Sequence, residues 1–388
     1  MTTSVLLTLG RLPKALEIAR AFDTAGCRVI VAEPLRWHVC KPSNSVASSY
    51  TVTAPNVDLD KYLRELLDII SQEDIDLVVP ISEEAIYVSL LHGRLPSDVR
   101  LACPLFEQMD LLNNKLSFAD WAIEHNLSVP PTFAAHTDEA SELASRKNYV
   151  LKPSNGYSGV GVKLRQKGEI LDVCEPGLIV QEQIHGRHMS SLSLLKNGHD
   201  LCTVLYEGRV FADTVAVCSQ RIDVLPRISE WIKKFALAGK LTGFFALDFI
   251  LDEQGIPWVI ECNPRVTSGI HFFDNHSTAN ALLNPDSQAT VTLKRSPARY
   301  QWGYSTLTEV CRSVFQAKEF LRKFKELINA RDAVWDINDP WPFILMMPMS
   351  SEIMWAAMTS SMTLGEVSQL DIAWIPKPEE KKELFTES

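Results

Sequence analysis

Hydrophobic and polar residues follow a repeating order along the first hundred positions. Apolar runs typical of buried strands alternate with segments whose apolar residues recur at helical spacing. The alternating segments are Ser4–Leu9, Pro13–Phe22, Arg28–Ala32, Lys61–Ile70, Asp76–Pro80 and Glu84–Leu91. This order predicts a parallel α/β sheet of Rossmann-like type. Gly10 lacks the GxGxxG context of a dinucleotide site, so we interpret it as a tight strand-to-helix turn.

The pattern changes after Met109. Seven apolar segments separated by turns predict strands, and an amphipathic segment near Ile228–Leu241 predicts a helix. The predicted strands are Tyr149–Lys152, Ile179–Gln183, Ser190–Leu195, Leu201–Glu207, Arg209–Val217, Phe244–Leu251 and Trp258–Cys262. This order is typical of an antiparallel-rich α+β core. Two more helices are predicted over Ser305–Ser313 and Gln316–Asn329.

The composition is that of an ordinary globular protein, with 388 residues of which 46% are hydrophobic and 22% charged. Disordered and fibrous classes are therefore excluded. The formal net charge of -10 argues against a nucleic-acid-binding surface, so a few placed cations must hold any phosphate-bearing ligand. The eight cysteines are scattered without a CxxC pair, which predicts free thiols rather than a zinc or disulfide framework.

Patterns for targeting and for membrane insertion are weak. No basic region precedes the short N-terminal apolar run, so we expect a buried strand rather than a signal peptide, and a cytoplasmic location. The segment Trp341–Gly365 carries one charge, but Pro342 and Pro348 interrupt it. We therefore expect no membrane span.

A lysine and a glycine-rich loop form the first candidate site. Lys152 ends an apolar strand, and Gly156, Gly159 and Gly161 follow it. Glycines let backbone N–H groups approach an oxyanion, and the lysine adds a positive charge, so the segment predicts a phosphate-binding loop. The order differs from GxxxxGK[ST], because here the lysine precedes the glycines. The alternative is a surface hairpin with a lysine nearby.

A predicted hairpin carries the second candidate site. Two apolar strands joined by the turn Asp252–Gly255 place Asp248 roughly opposite Glu261, and Asn263 shares a face with Glu261. Two carboxylates and an amide oxygen are hard ligands suited to Mg²⁺. The alternative is a solvated polar face. Arg265 follows directly and is a candidate for binding a transferring phosphoryl group or a substrate carboxylate, with a structural salt bridge as the alternative.

Together with Ile179–His188, these segments resemble the ATP-grasp superfamily. The resemblance implies a Rossmann-like preATP-grasp domain over residues 1–110 and a two-lobed ATP-grasp fold over 111–300. Its nucleotide lobe would span about 120–185 and its metal and substrate lobe about 186–300. Residues 301–388 would form a helical, Met- and Pro-rich segment that completes the core or an interface.

The resemblance also implies roles for individual residues. The implied ATP-binding residues are Lys115, Lys152, Ser154, Gly156, Ser158, Gly159, Gly161, Gln181, Glu182, Ile184 and His188. Lys115 and Lys152 would contact phosphates, Gln181 the adenine amino group and His188 the ribose. The backbones of Glu182 and Ile184 would read the adenine edge. The commonest family pattern has Glu where Gln181 and His188 stand here.

The implied activity is that of an ADP-forming ligase that uses ATP with one or two Mg²⁺, for which Mn²⁺ substitutes. Lys152 and Arg265 would be catalytic, and Asp248, Glu261 and Asn263 would hold the metal. A small-molecule acid would be phosphorylated and coupled to an amine, such as that of an amino acid. A kinase and a non-catalytic ATP-binding protein are the alternatives. Nucleic acid is not expected as a partner, and a homodimer is one alternative.

A narrower resemblance links the chain to the ATP-grasp ligases of mycosporine biosynthesis, which activate an enol oxygen before adding glycine. It rests on four segments, Leu12–Phe22, Ser43–Val52, Ile260–His271 and Arg331–Phe343. The acceptor pocket of such enzymes is built from variable loops. The candidate substrate residues here are Arg221, Ser268, Gly269 and His271.

Methionines are concentrated near the C-terminus. Met354, Met358 and Met362 recur every four residues, so on one helix they would form an apolar stripe. We expect the chain's own core or a second copy of the chain to cover it.

Overall fold

The computed structural model describes residues 2–156, 159–169, 176–284, 290–360, 362 and 364–374. The strands of the N-terminal unit are β1 Ser4–Leu7, β2 Arg28–Glu33, β3 Ser48–Thr51, β4 Leu77–Val79 and β5 Arg100–Leu101. Its helices are α1 Pro13–Thr24, α2 Leu59–Gln72, α3 Ala85–Val88 and α4 Phe106–Asn113, with a 3-10 turn at Ser89–Leu91. The strands pair in parallel in the order β3-β2-β1-β4-β5, which confirms the α/β sheet predicted from the pattern.

Both faces of this sheet are covered, as the continuous apolar runs of its strands require. Val5 and Leu7 belong to an apolar cluster with residues of α1. Leu6 points to the other face and belongs to a cluster with residues of α2. The carboxyl ends of β1 and β4 therefore open at one edge of the sheet, on either side of the point where the strand order reverses.

A small antiparallel sheet follows. Its strands are β6 Thr132–Ala134, β7 Tyr149–Pro153, β8 Lys163–Arg165 and β9 Leu178–Glu182, preceded by α5 Lys115–Glu124 and with α6 Asp138–Arg146 after β6. They pair in the order β6-β9-β7-β8. Alanine and leucine side chains of α6 pack on one face of this sheet against Tyr149, Leu151 and Val180.

A seven-stranded sheet forms the other lobe. Its strands are β10 Arg187–Lys196, β11 His199–Ala212, β12 Val215–Ile222, β13 Gly243–Leu251, β14 Pro257–Asn263, β15 Arg299–Gln301 and β16 Arg331–Asp332. The associated helices are α7 Pro226–Gly239 and α8 Asn275–Leu283, with a 3-10 helix at Ser268–Phe272. The order is β14-β13-β10-β11-β12-β15-β16, so the sheet crosses the boundary predicted at residue 300. The break predicted at Gly208 is a β-bulge inside β11.

The seven-stranded sheet packs on both faces. One face lies in a cluster with residues of α5 and α7, including Phe118 and Phe235. The opposite face contributes Leu192 and Phe244 to the cluster that contains α1. The N-terminal unit and the larger lobe therefore share one core, which fixes the carboxyl edge of the parallel sheet against the end of β14.

The C-terminal part is helical. Its helices are α9 Gly303–Arg312, α10 Ala317–Asn329, α11 Trp341–Ile344, α12 Met346–Met349, α13 Ser351–Thr359 and α14 Leu364–Leu370. The prediction of one helix through three methionines is wrong, because the backbone becomes extended at Ser360 and Met362 lies beyond α13. Met358 is 78% exposed, so the chain's own core does not cover it and the homodimer contact stays a prediction.

The last described residues return to the N-terminal unit. Leu364–Trp374, which we call the C-terminal segment, ends in the buried residues Ile372, Ala373 and Trp374. The Trp374 ring packs edge-on against Tyr87 at 5.0 Å and Phe106 at 5.6 Å between centroids. The segment is therefore part of the N-terminal unit in space. No helix within the described ranges combines the length and apolar character needed to cross a membrane.

Candidate active site

A cavity of about 300 Å³ lies between the small sheet and the end of the seven-stranded sheet. Nine residues predicted as ATP-site or metal residues line it: Lys115, Lys152, Gly156, Gly159, Gln181, Glu182, Ile184, His188 and Glu261. Its apolar lining comes from Val150, Val160, Val162, Leu164, Ile250 and Ile260. An apolar pocket with charged groups at one end suits a ligand with a flat ring and an anionic tail.

Lys115 reaches the cavity from the first position of α5. The side chain of Asn114 caps this helix by accepting from the Leu116 and Ser117 N–H groups, at 3.0 and 3.2 Å. The Lys115 Nζ atom lies 3.3 Å from the Gly156 carbonyl oxygen and 3.6 Å from Glu261 Oε1. A cation is thereby held between the glycine-rich loop and the predicted metal strand.

Lys152 approaches the same point from β7. Its ammonium donates to Gln181 Oε1 at 2.9 Å and to the Ile260 carbonyl at 3.3 Å. Burial lowers its pKa to about 8, with Glu261 opposing this shift and Lys115 adding to it. The side chain therefore remains mostly protonated at neutral pH. A bound polyanion would favour that charged form further.

The predicted metal residues meet at the end of the hairpin. Asp248 on β13 pairs directly with Glu261 on β14, as the sequence predicted. Burial and then the Glu261 carboxylate raise the pKa of Asp248 to about 6, against a hydrogen bond of 2.6 Å from Ser190. Asn263, two residues beyond Glu261, is buried and its Oδ1 accepts from Arg265 at 2.9 Å.

This donor set fits a magnesium ion. Two carboxylates and an amide oxygen lie on neighbouring positions of the hairpin, and a divalent cation held there would offset both burial and the Glu261 charge, which together raise the pKa of Asp248. Across the residues that the structure covers, no group of three His, Cys, Asp or Glu side chains is arranged to hold a metal. The ion would therefore depend on phosphate oxygens or water for its other ligands.

The glycine-rich loop passes against the turn between β11 and β12. Gly159 and Gly161 have positive φ values of 72° and 75°, which favour glycine. A Cβ at Gly159 would lie 2.8 Å from the Thr214 hydroxyl, so the loop also needs the missing side chain for its close approach. The Ser154 carbonyl, at the start of the loop, accepts from the Lys115 N–H at 2.9 Å and so ties the loop to α5. Ser158 lies outside the described residues.

At the predicted adenine end, Gln181 is already committed within the protein. Its Oε1 accepts from Lys152, and its Nε2 donates to Thr132 Oγ1 at 2.9 Å. The Glu182 N–H donates to the Pro131 carbonyl at 2.9 Å. The Ile184 backbone makes no hydrogen bond within the described ranges and lines the cavity together with the exposed His188. The backbone groups of Ile184 therefore have no partner among the described residues, and its predicted role at an adenine edge stays a prediction.

The remaining predicted residues lie outside the cavity lining. The Arg265 guanidinium pairs with Glu83 and with Asn263, and its buried Nε atom has no hydrogen-bond partner among the described residues. Arg221 donates to the carbonyls of Lys294 and Arg295. Arg265 thus forms the structural salt bridge that the sequence analysis gave as the alternative. It also keeps one unsatisfied donor, its Nε atom, beside the predicted metal strand.

His271 and Gly269 lie in the packed interior, where their contacts are with other residues of the fold. The His271 ring is 2% exposed, and its Nδ1 atom lies 2.9 Å from Glu17 Oε2. A Cβ at Gly269 would lie 2.6 Å from that of Leu192, so the glycine permits close packing on the sheet. Ser268 begins the 3-10 helix in this packed region. None of the three lines the cavity.

Sequence reasoning did not identify the residues that the N-terminal unit contributes. Lys14 and Glu17 lie in a helix, PKALEIARAF, whose other early positions are almost all buried. A charged residue on the buried face of an amphipathic helix needs a partner. The charges of Lys14 and Glu17 among apolar residues could therefore have indicated buried ion pairs. Ser82 and Glu83 follow β4 at the carboxyl edge of the sheet, where ligands and their supporting residues are expected in α/β folds.

Comparison with known proteins identifies the fold. Residues 112–269 match the family described as the ATP-grasp domain, so the chain contains such a domain. No curated protein matches the chain in sequence. Among solved structures, N5-carboxyaminoimidazole synthetase from Staphylococcus aureus, complexed with ADP, is 16% identical with a TM-score of 0.60. The alignment covers 75% of this chain and 80% of that one.

Two further structures are similar. The L-amino acid ligase from Bacillus licheniformis is 16% identical with a TM-score of 0.57, over 74% of this chain and 75% of that one. The biotin carboxylase domain of Hydrogenobacter thermophilus 2-oxoglutarate carboxylase, complexed with MgADP and bicarbonate, is 17% identical with a TM-score of 0.56. That match covers 69% of this chain and 65% of the other. At these identities the likeness establishes an ATP-grasp fold preceded by an N-terminal α/β unit.

Proposed function

We propose that this chain, which contains an ATP-grasp domain, is an ADP-forming ligase that phosphorylates a small acid and couples it to an amine. One observation carries the proposal. Lys115, Lys152 and Glu261 line one apolar cavity beside a glycine-rich loop, and Asp248 faces Glu261 across the hairpin. This arrangement supports binding of a metal-bound nucleoside triphosphate with its phosphates toward β14.

The residues support phosphoryl transfer as follows. Lys115 and Lys152 would neutralise the charge of the β- and γ-phosphates while an acid oxygen attacks the γ-phosphorus. The bond from the γ-phosphorus to the bridging oxygen breaks, and ADP leaves with the electron pair. The products of this half-reaction are ADP and an acyl phosphate.

The second half-reaction forms the C–N bond. An amine attacks the acyl carbon, loses a proton and expels inorganic phosphate. Mg²⁺, when bound by Asp248, Glu261 and Asn263, would supply charge neutralisation between phosphate oxygens. Arg265 follows these ligands and has an unsatisfied Nε among the described residues, which supports the proposal that it holds the acid or the transferring phosphoryl group.

The test is an ADP-release screen over pairs of small acids and amines with magnesium ATP. A ligase releases ADP only with both partners and yields phosphate and an amide in equal amounts. A kinase would release ADP with the acid alone and accumulate a phosphorylated product. A non-catalytic nucleotide-binding protein would bind magnesium ATP and release no ADP with any pair, which would overturn the proposal.

An enol acceptor of the mycosporine type is the second substrate to include. The four segments of that resemblance meet in the structure: Arg20 and Ser43 both bind the Asp339 carboxylate, and Glu17 binds His271. These contacts lie outside the cavity. The contacts do not distinguish the two acceptors, so the choice between an acid and an enol rests on the screen.

A further inference from the structure

Lys14 is a buried cation at the junction between the N-terminal unit and the larger lobe. It lies in the first turn of α1 and is 7% exposed. Its ammonium donates to the Ser82 hydroxyl and to the Val266 carbonyl, both at 2.9 Å. Val266 directly follows Arg265, so one lysine connects helix α1, the end of β4 and the loop after the metal strand.

The surrounding charges place Lys14 in electrostatic reach of the same loop. Burial lowers its pKa to about 7, and the Arg265 cation acts in the same direction while Glu83 and Glu84 oppose it. Arg265 is itself tethered to Glu83. The N-terminal unit thus holds the loop at two points. Lys14 binds the Val266 carbonyl, and Glu83 binds the Arg265 guanidinium.

The C-terminal segment reaches the same network. The Ser82 hydroxyl, which accepts from Lys14, donates to Gln369 Oε1 at 3.4 Å. An ion pair of 2.6 Å between Arg11 and Asp371 docks the segment beside this contact. Arg11 is in turn bound to the buried Glu33 at 2.5 Å, so the anchor is rigid.

We propose that Lys14 is a positioning residue for the loop that carries Arg265. The C-terminal segment takes part, because Gln369 accepts the Ser82 hydroxyl proton and so leaves a lone pair of the Ser82 oxygen directed at the Lys14 ammonium. The inference rests on the proposed function only in assigning Arg265 to the acceptor side of the reaction. In the proposed function, Lys115 and Lys152 hold the nucleotide phosphates. Loss of Lys14 should therefore slow the reaction of the acid and the amine without weakening the binding of magnesium ATP.

The experiment compares Lys14→Met and Gln369→Leu in the full chain with the native protein. Lys14→Met should slow acid- and amine-dependent ADP release by about a hundredfold and Gln369→Leu by about tenfold, because small displacements of a reacting group are costly. The dissociation constant of magnesium ATP should stay within about twofold of the native value in both. Lys14→Arg, which keeps a cationic donor, should recover part of the rate.

Hydrogen exchange supplies a readout that does not need turnover. Amides of residues 264–269 should exchange faster in Lys14→Met and Gln369→Leu than in the native chain. The matched controls are Lys61→Met, at a lysine whose side chain is 54% exposed, and Ser368→Ala, whose hydroxyl bonds only locally to the Gly365 carbonyl. Neither control should change exchange in that loop.

The outcomes separate the two proposals. If the native chain releases no ADP with any substrate pair, the proposed function fails, while loop exchange still decides the role of Lys14. Unchanged exchange at 264–269 together with unchanged turnover in both variants would overturn the positioning role. If Lys14→Met does not fold, the milder Gln369→Leu decides by the same two measurements. Weakened magnesium ATP binding equal to the loss of rate would indicate a general structural role and would also overturn the proposal.

Discussion

The lysines and carboxylates at the end of the cavity near β14 each have a like-charged neighbour. Burial lowers the pKa of Lys152 and Lys115 adds to that shift, while burial raises the pKa of Asp248 and Glu261 adds to that one. The two pairs compensate each other across 3.6 Å between Lys115 and Glu261. The opposite charges stabilise each other when no ligand is bound. A metal-bound polyphosphate would stabilise them further, because it brings negative charge to the lysines and positive charge to the carboxylates.

Glu261→Gln tests this arrangement. The variant keeps the side-chain shape but removes one charge from the metal pair, so ADP release should fall by about a hundredfold, on the order of 3 kcal/mol of barrier. The matched control is Glu230→Gln, at an exposed glutamate that pairs with Lys234 on α7. Steady-state ADP release at saturating magnesium ATP is the measurement. Equal rates for both variants would remove Glu261 from the site.

Glu17 predicts a specific pH dependence of stability. Lys294 and His271 overcome the effect of burial and lower the pKa of Glu17 to about 2. A lowered carboxyl pKa contributes stability that is complete above the unfolded-state value near 4.5 and is lost as the pH falls toward 2. At neutral pH this contribution is on the order of 3 kcal/mol.

The measurement is the difference in unfolding free energy between the native chain and Glu17→Gln, by urea titration. That difference should be largest near pH 6 and shrink steadily between pH 4.5 and 3, because the native carboxyl loses its advantage there. Other carboxyls cancel in the comparison. A difference that stays constant over this range would show that Glu17 carries no shifted pKa.

At the scale of elements, the glycine-rich loop depends on one close contact. Gly159 and Gly168 both have positive φ, at 72° and 82°, but a Cβ at Gly159 would meet Thr214 whereas one at Gly168 has nothing within 4 Å. Gly159→Ala should therefore weaken magnesium ATP binding by about tenfold, while Gly168→Ala pays only the backbone cost of about 1 kcal/mol in stability. Calorimetric titration with magnesium ATP measures the binding of both variants, and urea unfolding measures the stability cost of each.

Element order and the local site were predictable because both rest on short-range patterns. The parallel strands, the hairpin register of Asp248 with Glu261 and the strand position of Lys152 follow from periodicity and turn residues. The partners of Gln181 were not predictable, since Thr132 and Lys152 lie on different strands of a sheet whose order the sequence does not specify. The sequence analysis missed the end of α13. The spacing of the methionines continues across Ser360, but the helical conformation ends before that residue.

At the scale of the whole molecule, the N-terminal unit is completed by residues of the C-terminal segment, Ile372, Ala373 and Trp374. Trp374 is 5% exposed and fills the space between Tyr87 and Phe106. No local pattern predicts this contact, because its partners are nearly three hundred positions apart in the sequence. The same is true of Lys14 and Val266, which are joined only by the packing of the two units.

Trp374→Ala should lower the unfolding free energy by about 3–5 kcal/mol, the usual cost of truncating a buried tryptophan. The control is Trp355→Ala on α13, at a side chain that is 69% exposed, which should change stability by less than about 0.5 kcal/mol. Urea unfolding followed by circular dichroism measures both. Similar small effects would show that the C-terminal segment does not pack on the N-terminal unit.

The docking of Asp371 onto Arg11 also has a consequence for biosynthesis. The two residues are 360 positions apart, so a ribosome adding about 5–20 residues per second needs roughly 20–70 s to make the second after the first. Throughout translation, the nascent N-terminal unit carries an uncovered apolar slot between Tyr87 and Phe106. The slot can close only after Trp374 has left the ribosome, so the nascent chain exposes this apolar surface for longer than the local order of its elements would suggest.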